Sequence, residues 1–339
     1  MVIRFWNRNS IGFNKFFVVL IKEVSSILQF KIFFLYLNIN MNTNVSIIKA
    51  DIRAHNNWRV VEDYIENKIV SNKNISFVTF CEMYFYKGGK SLEKDWIGII
   101  HDPEDTQLYY KNKNIINNTN FKKSLPYCKG LFCMSHNLKE WIIQKIKPKF
   151  FVDVLYHPIS NKNLIEFQIE EYKKNKCIIQ IGNWLRKTYS IFKINTNINK
   201  EILPWTDRTQ KEMQYFLNKD NVILTELEKG SVLKRSHICD NDYNKVFNNK
   251  IIFLYLYSST ANNVIMECIK ANNPIIINRL EPIEEYLGKE YPLFYDNLSE
   301  VTSFLLNDDL IVKAFNYLKN MDKSKFSMQM MLLRINKRL

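Results

Sequence analysis

A run of hydroxyl and amide side chains, Ser258-Ser259-Thr260-Ala261-Asn262-Asn263, leads directly into an apolar helical segment carrying one carboxylate, Glu267. Side chains of this kind ahead of a helix suit an anion. The first N–H groups of a helix have no partner within it and point outward, so a phosphate or diphosphate is a natural occupant. Ser and Asn at such a place also serve simply as caps, and local pattern alone does not choose. Glu267 tips the balance. Within Ile265-Met266-Glu267-Cys268-Ile269 a carboxylate needs a partner to offset burial, and the two hydroxyls of a ribose are suitable donors. Gly182 ends another apolar run and is followed by Arg186 and Lys187, two cations on a turn that suits diphosphate charge.

Other residues form a second tier. His101 ends an apolar run at His101-Asp102-Pro103, and imidazole titrates in the range useful for proton transfer; a bond to its neighbour Asp102 is the plainer reading. His157-Pro158 is a similar pair, and Arg53 and His55 lie in the polar turn at 51–57. The six cysteines form no C-x-x-C, and His136 and His237 near Cys133 and Cys239 lack the further ligands of a zinc site. Core thiols in a reducing, cytoplasmic setting are the expectation. No G-x-G-x-x-G follows an apolar run, which argues against a dinucleotide dehydrogenase.

These residues need a scaffold. A chain of 339 residues exceeds one ordinary core and suits two domains. Its 46% apolar and 24% charged content is globular material. The net charge of +14 is diffuse, with no basic tract and no nucleic-acid motif, so specific nucleic-acid binding is not expected. Residues 1–43 read as an apolar extension whose runs fall short of the roughly 20 residues that span a bilayer. Peripheral membrane contact through this segment or the basic surface is the corresponding expectation.

From residue 44 short β-prone runs alternate with helical spacing. Strands are expected over 45–50, 75–80, 96–100, 130–134 and 151–156, with helices over 58–70 and over 137–146, the latter capped by Ser135. After a polar, Lys-rich junction the rhythm restarts, with strands over 176–181, 221–225, 251–257 and 274–278. Helices are expected over 209–217, 243–247, 262–270, 282–287 and 299–306. The result is an α/β fold of two Rossmann-like parallel-sheet domains, 44–165 and 170–315, facing across a cleft and closed by a C-terminal helix at 316–339.

The segment from Asn262 through Glu267 to Pro274-Ile275-Ile276-Ile277-Asn278 resembles the donor-binding block of GT-B glycosyltransferases, particularly the retaining class with an E-x7-E motif. Ile181-Gly182-Asn183-Trp184-Leu185-Arg186-Lys187 is similar to that family's first strand and turn of the second domain. Leu131-Phe132-Cys133-Met134-Ser135-His136 is similar to a late strand of its first domain. The resemblance implies transfer of a sugar from a nucleotide-sugar donor to a glycan, protein or lipid acceptor. It implies a diphosphate held by Gly182, Arg186 and Lys187 with Asn262 and Asn263, a ribose on Glu267, and a further donor contact from Glu285 ahead of Gly288. His101 would lie near the transferred sugar. The first carboxylate of E-x7-E is replaced by Ser259, which can only hydrogen-bond, so a catalytically silent binding or scaffold protein is the alternative. Side-chain cations can neutralise the leaving group, and Asp240-Asn241-Asp242 lacks further ligands, so no metal or other cofactor is expected.

Overall fold

The computed structural model describes residues 45–49, 57–69, 74–104, 114–159, 164–236, 238 and 240–339. The apolar extension at 1–43, Arg53, His55, His237 and Cys239 lie outside the described residues. Five strands, β1 (Val45–Ile48), β2 (Ile75–Val78), β3 (Trp96–Ile100), β4 (Cys128–Cys133) and β5 (Phe151–Val154), form one parallel sheet in chain order. Every residue of β3 is buried, as expected where helices cover both faces. Trp58, Val61 and Ile65 of the Asn57–Lys68 helix meet Phe77, Ile97 and Phe132 on one face. On the other, Phe85, Leu138 and Ile142 meet Val78, Ile100 and Leu131.

The second sheet contains β6 (Cys177–Ile181), β7 (Asn199–Leu203), β8 (Val232–Lys234), β9 (Ile251–Leu254), β10 (Ile275–Asn278) and β11 (Phe294–Tyr295). Its order is β11-β10-β9-β6-β7-β8, all parallel. The chain therefore runs outward from β6 through β7 to β8, then returns to the other side of β6 to lay down β9, β10 and β11. In open α/β sheets, ligands commonly bind beyond the carboxyl ends of the strands at such a reversal.

Sequence pattern placed one strand of this sheet wrongly and missed three, β7, β8 and β11. The run at 221–225 is not a strand; it leads to the Glu226–Gly230 helix, where Thr225 and Glu228 form a capping box. The strand beside β6 is β7 instead, whose apolar pattern is masked by Lys200 and Glu201. Both are buried there. Glu201 accepts from Arg235 at 2.6 Å and from Lys250 at 2.6 Å, and Lys200 donates to the Ile194 carbonyl at 2.8 Å. The five described cysteines are buried free thiols.

Residues 316–339 are not one helix. The Asp308–Asn320 helix ends, a turn follows at Ser324–Phe326, and Ser327 caps a second helix, Met328–Asn336, accepting from Met330 N at 3.0 Å. That last helix returns to the first domain, packing Met331, Leu332 and Ile335 with Trp58, Val61 and Ile65. Among the described residues no helix is long and apolar enough to cross a membrane.

Side chains from the Glu281–Leu287 helix join the domains. Buried Tyr286 donates through its hydroxyl to the Met134 carbonyl at 2.6 Å and accepts from His157 N at 3.0 Å. Glu285 accepts from the backbone N–H of His136 at 2.8 Å and of Asn137 at 3.3 Å, placing a carboxylate at the positive end of the His136–Ile146 helix. Replacing Tyr286 by Phe leaves a buried N–H and carbonyl unpaired, so a loss of about 1–3 kcal/mol is expected from equilibrium urea unfolding. An unchanged midpoint would show that water or a local shift replaces both bonds.

Candidate functional site

The turn after β6 and the loop after β9 meet at the strand-order reversal, and the two are stitched together. Lys187 N donates to Tyr255 O at 2.8 Å, Tyr257 N donates to Leu185 O at 2.8 Å, and Arg186 bridges Leu256. The turn is tight: Gly182 has φ +80° and Leu185 φ +56°. A methyl group on Gly182 would come within 2.9 Å of the Arg186 guanidinium carbon. Glycine is therefore needed twice, for the left-handed backbone and to let the guanidinium lie against it. Arg186 is buried and donates to the Trp184 carbonyl at 2.9 Å and to Asn262 Oδ1 at 3.0 Å.

Asn262 is the N-cap of the Asn263–Ala271 helix, its Oδ1 also accepting from Val264 N at 3.0 Å. One amide oxygen thus ties the arginine to the helix N-terminus, putting a fixed cation beside the positive end of a helix dipole. Glu267, on the second turn, is buried and accepts from the Tyr243 hydroxyl at 2.8 Å. Burial, then the charge of Glu267, push Tyr243 well above the usual phenol range, while Arg186 acts in the opposite sense. Glu267 also borders a small crevice with His157, Pro158, Met266 and Lys270. The structure thus brings Gly182, Arg186, Asn262, Asn263 and Glu267 to one sheet edge. Ser259 and Thr260 are buried in the same loop.

Lys187 turns to a different neighbour. Its ammonium pairs with Asp220 at 2.9 Å and lies 5.1 Å from the Tyr255 ring centroid. Glu285 is the interdomain helix cap already described.

His101, at the end of β3, faces the second domain through its backbone: Thr260 Oγ1 donates to its carbonyl. Its ring is stacked on Phe80 with centroids 3.9 Å apart and meets Trp58 edge-on at 4.3 Å. Trp58 in turn lies 5.4 Å from the buried His157 ring. Burial first, then repulsion from His157, push the His101 imidazole well below its usual range, with the Ile99 carbonyl working against this. His157 is lowered to about 4 by burial, opposed by bonds to the Pro158 carbonyl and Asn263. Beneath His101 sits Glu82, fully buried, one oxygen accepting from His101 N at 2.8 Å and Asp102 N at 2.9 Å. Burial raises both Glu82 and Asp102, the latter to about 7, and the proximity of Asp102 raises Glu82 further. Among the described residues no three His, Cys, Asp or Glu side chains gather as a metal-ligand set.

No protein-family description matches this chain, and no curated protein sequence matches it. Solved structures do. A sucrose-phosphate synthase from Thermosynechococcus elongatus superposes with a TM-score of 0.58 at 9% identity, over 78% of this chain and 72% of that one. The HepE protein of Anabaena, solved in complex with UDP-glucose, gives 0.56 at 10% identity, over 83% and 80%. A UDP-forming α,α-trehalose-phosphate synthase from Burkholderia xenovorans gives 0.51 at 8% identity, over 83% and 76%. These neighbours are GT-B glycosyltransferases, and two parallel-sheet domains of five and six described strands match theirs.

The chain has the GT-B fold.

Within that fold the glycine, cations and loop amides singled out in the sequence lie at the carboxyl ends of β6 and β9. Tyr243, Glu82 and Trp58 were not. Glu82 carried the same signal as Glu267, a lone carboxylate entering an apolar helix, in Phe80-Cys81-Glu82-Met83. Because His157 is neutral in the folded chain and titrates near 6.5 when unfolded, its contribution to stability is complete above 6.5. It is lost as pH falls toward about 4. Replacing His157 by Gln should remove that part of the slope when the two proteins' unfolding free energies are compared across this range. Parallel curves for the two proteins would contradict the assignment.

Proposed function

We propose that this protein transfers a sugar from a nucleotide-sugar donor to an acceptor hydroxyl, with the donor seated at the crevice between β6 and β9. The observation that carries this reading is the Arg186–Asn262 bond over Gly182: a buried guanidinium locked to the N-terminus of a helix. Transfer breaks the bond between the sugar's anomeric carbon and the diphosphate and forms one to the acceptor oxygen. Negative charge grows on the departing diphosphate, and a fixed cation and a helix dipole stabilise it without reorganising. Glu267 takes the ribose hydroxyls in this reading, with Tyr243 holding the carboxylate in place. Lys187 acts at longer range, since Asp220 already balances its charge, and His101 borders the transferred sugar. Glu285 is read as a clamp between the domains, because two backbone N–H groups already engage its carboxylate.

We also propose that the reaction retains anomeric configuration and proceeds without a metal, both resting on the resemblance to the retaining E-x7-E class. Ser259 stands where that class has its first carboxylate, and this favours a second reading, a module that binds a nucleotide sugar without consuming it.

Titration calorimetry with UDP-, GDP- and ADP-sugars tests the donor site. One of the three should bind. Arg186→Ala should weaken that binding by roughly 10- to 100-fold, as expected for loss of charge-assisted hydrogen bonds. Glu267→Gln should weaken it less. Binding that Arg186→Ala leaves untouched would place the donor elsewhere. Binding without turnover, with or without a chelator, would select the module reading.

A further inference from the structure

Folding does not spread the lysines of this chain evenly. In the second domain many cations have acidic partners: Lys173 pairs with Glu170, Lys229 with Glu226, Lys245 with Asp242, and Arg235 and Lys250 with Glu201. The first-domain segment 119–149 is different. It carries seven lysines and a single carboxylate, Glu140. Of these lysines only Lys129 forms an ion pair among the described residues, with Asp95 at 3.1 Å.

Topology gathers six of the seven at one sheet edge. The Thr119–Ser124 helix and the turn Leu125–Tyr127 lead into the amino end of β4. The His136–Ile146 helix leads through Lys147, Pro148 and Lys149 into the amino end of β5. β4 and β5 are parallel neighbours with Gly130 paired to Phe151, which sets Lys129 level with Phe150. Lys122, Lys123, Lys145, Lys147 and Lys149 are exposed, and so are Pro126 and Tyr127. This edge lies at the end of the sheet away from the second domain, because the carboxyl ends of β3 and β4 carry the bonds to Thr260 and Tyr286.

We infer that the amino edge of β4 and β5 is a docking surface for a bilayer containing anionic lipid. The surface potential of such a bilayer acts on summed point charges, each lysine close to it strengthening binding roughly fivefold. Ammonium groups without acidic partners keep that full attraction. An exposed tyrosine among them suits the headgroup layer, where amphipathic aromatic rings settle. Nucleic acid is the other extended polyanion, and its phosphates favour the bidentate fork of arginine. No arginine stands between Arg59 and Arg186. The charge that looks diffuse along the sequence is thus gathered by folding into a lysine-only patch, whatever reaction the protein performs.

Co-sedimentation of the full chain with vesicles tests this. Vesicles of phosphatidylcholine and phosphatidylglycerol should bind the protein more tightly than phosphatidylcholine alone, and added salt should weaken the difference. Combining Lys122→Gln, Lys123→Gln, Lys145→Gln and Lys149→Gln should weaken binding roughly 100-fold or more, at about fivefold for each lysine. A control combining Lys173→Gln, Lys174→Gln, Lys229→Gln and Lys245→Gln loses the same net charge from paired sites and should stay within about threefold of wild type. Equal losses in both variants would overturn the inference, because net charge and not this edge would then govern binding. So would anionic vesicles that fail to bind wild type, or that bind the first variant as well as wild type. Tighter binding of a DNA duplex at the same salt, lost in the first variant, would assign the surface to nucleic acid instead. Any nucleotide-sugar affinity of wild type should persist in the first variant, so failure of the donor site and failure of this surface are separate results.

Discussion

One buried cation organises the second domain's working edge. A side chain at 182 would crowd the Arg186 guanidinium that reaches Asn262, and Gly182 adopts a left-handed backbone that turns the chain sharply off β6. The same turn pairs with the loop after β9 through Leu185, Arg186 and Lys187. Those contacts exist because β6 and β9 are neighbours, which follows from the strand-order reversal. Sheet topology therefore fixes where the arginine sits, and the arginine fixes the helix N-terminus opposite. A carboxylate one turn into that helix, bonded to Tyr243, completes the candidate site.

The first domain contributes a different kind of chemistry. Its described strands run in simple chain order, so no reversal opens a crevice within its own sheet. What it offers is the end of β3, where His101 is wedged between aromatic rings over a buried acid pair. The two domains are held in register by Tyr286, by Glu285 at a helix terminus, and by the final helix crossing back to pack beside Trp58. Charge, dipole and packing terms act together at that junction.

Much of this architecture was legible in the sequence, and the exceptions have physical causes. Strands buried on both faces announce themselves as apolar runs, so β3, β6 and β10 were placed within a residue, while the run at 251–257 overshot the end of β9 by three. Strand β7 was missed because Lys200 and Glu201 point into the structure and are satisfied by a carbonyl and by Arg235 and Lys250, partners no local pattern reveals. The run at 221–225 looked like a strand because its hydrophobics were counted while the Thr225–Glu228 capping signature was not. At the site, Gly182, Arg186, Asn262 and Glu267 were readable from type and spacing, since glycine, cation and helix cap have local signatures. The engagement of Glu285 with the first domain, and of Lys187 with Asp220, depended on tertiary contacts across long sequence separations.

The central claim is that a nucleotide sugar sits at the β6–β9 crevice with its diphosphate on Arg186 and the Asn263–Ala271 helix. Hydrogen–deuterium exchange of the whole protein, with and without saturating UDP-, GDP- or ADP-sugar, tests this most directly. The account predicts new protection concentrated at residues 182–189 and 258–267. Protection confined to the first domain, or to the second domain away from these two segments, would contradict it.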